Sequence, residues 1–129
     1  MMEQSLRERA MRHFSIQALC DQMGGEPQKR WIEFLRASSL SMGIYHLSAG
    51  EADKQKPHSE DEVYYVISGS ASFRAGDQRE RVQAGSVIFV EKQADHRFVD
   101  IETDLTLLVF FAPPEGSLTD QHHVPETRL

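Results

Sequence analysis

The chain reads as an all-β domain preceded by a short helical segment, and three observations carry that reading. From Trp31 onward, short apolar runs alternate with polar or glycine-bearing turns at intervals of about ten residues, the rhythm of many short antiparallel strands. Gly69, Gly76 with Asp77, and Gly85 fall between these runs as hairpin punctuation. Residues 3–23 follow a different period, with Leu6, Ala10, Phe14 and Ala18 at intervals of four, and Gly24, Gly25 and Pro27 stop that pattern before the strands begin.

Taken in order, the pattern predicts strands at Trp31 to Arg36, Leu40 to Leu47, Asp53 to His58, Glu62 to Ser68 and Ala71 to Arg74. Further strands are expected at Arg79 to Gln83, Ser86 to Val90, His96 to Asp100 and Leu105 to Phe111. Two of these are apolar on both faces: Val63, Tyr65 and Ile67 oppose Tyr64 and Val66, and Val87 and Phe89 oppose Ile88 and Val90. A sheet face turned to water should alternate instead, so a cover is expected, from the N-terminal helix or from a second subunit. The expected organisation is a helical segment over 1–30 packed on a barrel of 31–114, then a loose tail over 115–129.

With 129 residues there is room for one core and one domain. Hydrophobic residues at 40% and charged residues at 26% are ordinary for a globular chain. Fourteen basic against 20 acidic residues give a net charge of -6, and no Lys/Arg cluster exceeds a pair, which argues against a nucleic-acid partner. The longest apolar run, Leu105 to Pro114, falls short of the ~20 residues of a membrane helix. The charged N-terminus lacks the apolar centre of a signal peptide, so a cytoplasmic location is expected. Cys20 is the single cysteine, which leaves no intrachain disulfide and carries no assigned chemistry.

Ligand chemistry is crowded into Gly50 to Gly69, GEADKQKPHSEDEVYYVISG. A straight strand rising ~3.3 Å per residue would hold His58 and Glu62 about 13 Å apart, too far for one metal ion. A reversal at Ser59, Glu60 and Asp61 would set the imidazole and the carboxylate side by side. This stretch resembles the first motif of the cupin superfamily, matching at Gly50, His58, Glu62 and Gly69, with Lys56 where that motif has its first histidine. GSVIFVEKQADHRFVD resembles the second motif in spacing through Gly85, Glu91, Gln93, His96 and Asp100, and matches it by type at Gly85 and His96.

The resemblance implies a cupin-type jelly-roll barrel, a homodimer, and one divalent metal ion held by His58, Glu62 and His96. Two histidines and one carboxylate with open positions suit iron(II) first, and zinc, manganese, nickel or cobalt also accept them. Lys56 shares parity with His58 on the expected strand and should enter the same cavity. A protonated ammonium has no lone pair for a metal, which leaves three readings: a grip on an anionic substrate, a base of lowered pKa, or a stem that curls to the solvent.

Glu62 and Lys56 are the candidate catalytic residues, and Lys56, Tyr64 and Phe98 the candidate substrate-binding ones. The Tyr64 hydroxyl either orients a ligand or belongs to core packing. Asp100 either holds a ligand histidine or stabilises a turn. Glu60 belongs to a solvated turn or adds a further oxygen ligand. Tyr45 and His46 share an early strand whose facing the sequence leaves open, and His122 with His123 belongs to the tail.

The expected function is a small metal-dependent enzyme acting on a small polar or anionic molecule, dioxygenase-type first and isomerase or hydrolase next. The alternative is a non-catalytic small-molecule binder, since one barrel supports both. A transcription factor is disfavoured, because the residues before Trp31 are too few and too weakly basic for a DNA-reading unit.

Overall fold

The computed structural model of the protein describes residues 10–24 and 30–118. Helix α1 (Ile16–Gly24) is shorter than the periodicity suggested. Ser15 ends it at the N-terminal side: its hydroxyl accepts a hydrogen bond from the Ala18 amide at 3.1 Å, the N-cap arrangement, and 11–15 are not helical. Positions 3–9 of the expected helix lie outside the described residues. Phe14, just before the cap, meets Phe34 edge-on at a ring separation of 4.9 Å.

Six strands follow: β1 (Trp31–Arg36), β2 (Ser41–Leu47), β3 (Asp61–Ala75), β4 (Gln78–Gln83), β5 (Val87–Val90) and β6 (His96–Ala112). They pair antiparallel in the order β1-β2-β6-β3-β4, with β5 on the first part of β3. The fold is the expected all-β jelly-roll barrel.

Two pairs of expected strands are single long ones. Gly69, at φ +100°, lets β3 bend without ending, and the interior positions change parity across it, from Glu62, Tyr64 and Val66 to Ala71 and Phe73. In β6 the same change occurs at Asp100, φ +50°, so His96 and Phe98 give way to Ile101, Leu105, Leu107, Val109 and Phe111. The inward residues of both halves meet in one core.

The expected strand at Asp53 to His58 does not form. Asp53, buried, accepts from the Gln55 amide and side chain and from the Phe98 amide, and Pro57 has no N–H to give a ladder. The outer face shared by β3 and β5 is open among the described residues, with Tyr65 39%, Val87 67% and Phe89 61% exposed. Helix α1 (Ile16–Gly24) does not cover it, and positions 3–9 of the expected N-terminal helix lie outside the described residues.

The tail is not loose from its first residue. The Glu115 amide donates to Ser41, Arg36 donates to the Glu115 carbonyl, and the Leu118 amide reaches Glu60, so 115–118 are strapped to the barrel. His122 and His123 lie outside the described residues.

Candidate metal and ligand site

The two motif turns are joined through the backbone. The Gln93 amide donates to the His58 carbonyl at 2.7 Å and the Lys92 amide to the Asp61 carboxylate at 3.0 Å. β3 then carries Glu62 and Tyr64 inward beside His96 at the start of β6, all three buried.

His96 Nδ1 lies 2.8 Å from the Ala94 carbonyl, which can only accept, so Nδ1 carries a hydrogen. Its Nε2 faces inward, 3.1 Å from Glu62 Oε1 and 3.2 Å from the Tyr64 hydroxyl oxygen. Burial opposes the charged imidazole, but the Glu62 carboxylate and the Ala94 carbonyl outweigh it and raise the His96 pKa. Burial, followed by the Glu62 charge, holds the Tyr64 phenol well above its ordinary pKa, so it stays protonated. His96 and Tyr64 both approach the Glu62 carboxylate, the first at 3.1 Å, but neither gives it a well-formed hydrogen bond.

An orphaned buried carboxylate beside an inward imidazole nitrogen is what a cation would satisfy. The spacing fits as well: adjacent donors each ~2.1 Å from one ion stand about 3.0 to 3.4 Å apart. Glu62 and His96 therefore fit a divalent metal as two donors. His58 does not complete the expected set. Its ring centroid is 6.4 Å from that of His96, it packs edge-on to Phe111, and Nδ1 lies 3.8 Å from Glu115 Oε2. Among the described residues no three His, Cys, Asp or Glu side chains are placed to share one ion.

The remaining candidates are sorted by the same geometry. Lys56 is exposed on the 51–58 loop, because the parity that aimed it inward required a strand there. Phe98 is a buried core ring, stacked edge-on with Tyr64 at 5.0 Å and Phe73 at 4.7 Å. Asp100 is exposed and pairs with Arg79, turned away from His96 by its positive φ. Tyr45 donates to Asp53, and His46 approaches Thr106 at 3.3 Å. Glu60 is buried rather than solvated, taking bonds from Ser59 and the Leu118 amide while its Oε1 has no partner.

The sequence reading missed Gln55, which accepts from the Tyr64 hydroxyl at 3.0 Å and donates to Asp53 at 2.9 Å. It also missed Glu115 beside His58. Pro57 was the signal that could have broken the assumed strand and drawn attention to its polar neighbours.

The family model of the cupin domain matches residues 43–112, more than half of the chain, and the chain belongs to that family. An uncharacterised protein of Streptomyces coelicolor is 46% identical over 86 residues, 67% of this chain and 82% of that one. Among solved structures, TT1209 from Thermus thermophilus superposes with a TM-score of 0.62 at 24% identity, covering 81% of this chain and 99% of that one. The DMSP lyase DddQ from Ruegeria pomeroyi gives 0.58 at 18% identity, over 81% of this chain and 57% of that one. KdgF from a Halomonas species gives 0.59 at 18%, over 64% and 78%. At these identities the likeness is one of fold. No helix among the described residues is long and apolar enough to cross a membrane.

Proposed function

We propose that this cupin binds one divalent metal ion at Glu62 and His96 and is a metal-dependent enzyme for a small polar or anionic molecule. Dioxygenase-type chemistry is the first choice, and isomerase or hydrolase chemistry the next. The observation that carries the metal is the buried Glu62, neither oxygen with a well-formed hydrogen bond, 3.1 Å from an imidazole nitrogen whose ring is fixed by Ala94. Iron is the first metal to test, with zinc, manganese or nickel as alternatives, since one imidazole and one carboxylate accept all four.

Such an ion supplies a Lewis acid for a substrate oxygen or, as iron(II), a place for dioxygen. The chain's own groups set the conditions. The Ala94 carbonyl keeps a hydrogen on Nδ1 and so leaves Nε2 as the donor. Tyr64 and Phe73 pack against the His96 ring, with Phe98 stacked on both, and exclude water from that side. Enzymes among the fold neighbours, such as the Ruegeria lyase, support a catalytic use of this barrel and select no reaction.

A non-catalytic binder is the second reading, favoured by the approach of His58 to Glu115 rather than to the Glu62–His96 pair. Iron-loaded wild type and Glu62→Gln, screened against small carboxylic acids in an oxygen electrode, separate the two. Substrate-dependent uptake by wild type alone supports the dioxygenase. Tight binding of an acid with neither uptake nor product supports the binder.

A further inference from the structure

The hydrogen-bond directions inside the barrel can be followed from Asp53. A carboxylate accepts and does not donate, and Asp53, 4% exposed, accepts from the Tyr45 hydroxyl, the Gln55 amide, the Gln55 side chain and the Phe98 amide. The Gln55 group facing it at 2.9 Å must therefore be the NH2, which turns Oε1 towards Tyr64. An amide oxygen only accepts, so the Tyr64 hydroxyl donates to it at 3.0 Å. The Glu62 carboxylate also lies near that hydroxyl, but the well-formed bond is the one to Gln55, and with the hydrogen directed there what Tyr64 offers His96 Nε2, 3.2 Å away, is a lone pair. With Nδ1 of His96 holding its hydrogen against Ala94, three lone-pair atoms converge: Tyr64 Oη, His96 Nε2 and Glu62 Oε1.

We infer that Gln55 is a positioning residue that claims the Tyr64 hydroxyl hydrogen and thereby makes the Tyr64 oxygen a third, neutral donor beside Glu62 and His96 for the bound cation. This rests on the metal reading above and goes beyond it by giving the third position to Tyr64 and its control to Gln55. Both Nε2 separations, 3.1 and 3.2 Å, fall within the about 3.0 to 3.4 Å expected of adjacent donors on one ion. Gln55 adjoins Lys56, so the loop that lacks an inward histidine supplies an inward amide instead.

Cobalt(II) titration of the full-length protein is the test, because its visible d–d bands report the donor set independently of affinity. Gln55→Met and Tyr64→Phe keep the side-chain volume, and each is expected to weaken cobalt binding about tenfold and to shift the bands alike. Since Gln55 acts through Tyr64, the double variant should bind within about twofold of Tyr64→Phe. Cobalt bound by Gln55→Met as by wild type, with binding lost in Glu62→Gln, leaves the metal reading standing and overturns the role of Gln55. A wild type that takes no cobalt overturns the metal reading, and the third-donor assignment with it. NMR of the metal-free protein reads the bond direction without cobalt. The buried Tyr64 hydroxyl proton should show a cross-peak to the Gln55 side chain, and a proton directed to Glu62 or His96 overturns the inference.

Discussion

Glu62 and His96 approach within 3.1 Å in a wholly buried setting, each side chain 2% exposed. Their partners are unequal: the His96 ring is anchored through Ala94, while neither Glu62 oxygen has a well-formed hydrogen bond. A proton on Nε2 or a metal ion between the two relieves the same charge, so the two compete for one place.

That competition fixes a pH dependence. In the metal-free protein, burial lowers the His96 pKa but Glu62 and Ala94 raise it further, so the folded value lies above the ordinary 6.5. A folded pKa above the unfolded one contributes stability that is complete below about 6.5 and lost as pH rises through the folded value. Urea unfolding of metal-free wild type should therefore lose stability relative to His96→Gln over that rise. Metal affinity should move the opposite way and increase with pH across the same window, because binding displaces a proton. A flat difference between the two proteins contradicts the assignment.

Lys56→Ala should do little. The side chain is exposed and lies outside the barrel interior, so unfolding free energy should change by no more than about 0.5 kcal/mol and metal affinity by less than about twofold. A large loss of substrate turnover in this variant, with metal content intact, would return the lysine to the site.

Gly69→Ala should be severe for a reason unrelated to chemistry. At φ +100° an added Cβ would stand 2.2 Å from the Asp104 carbonyl oxygen and 2.8 Å from Leu105 Cα, both backbone atoms that cannot turn aside. The expected cost is at least about 2 kcal/mol, read as a shift of the urea midpoint. A midpoint equal to that of wild type would mean that the β3 bend tolerates a side chain.

Much of this architecture was legible in the chain. Glu62, Tyr64 and His96 could be placed inward because two short-range patterns, motif spacing and strand parity, act on residues that do lie on strands. Lys56 was misplaced because the same parity rule was applied to a segment that Asp53 and Pro57 hold in a loop. The burial of Glu60 depends on Leu118, and the approach of His58 to Glu115 on the strap after Pro114, both contacts far apart in sequence that no local pattern announces. Asp100 illustrates a smaller failure: an unforeseen positive φ moved the interior position on to Ile101.

The most direct test is metal stoichiometry, by elemental analysis of untagged wild type, Glu62→Gln and His96→Ala after equilibration with iron(II) or zinc. Far-UV circular dichroism would show that each retains its strands. About one equivalent per chain is expected in wild type and almost none in either variant. Wild type that takes up no metal, or variants that bind as much as wild type, would contradict that expectation and leave the Glu62–His96 pair as a structural contact inside a metal-free barrel.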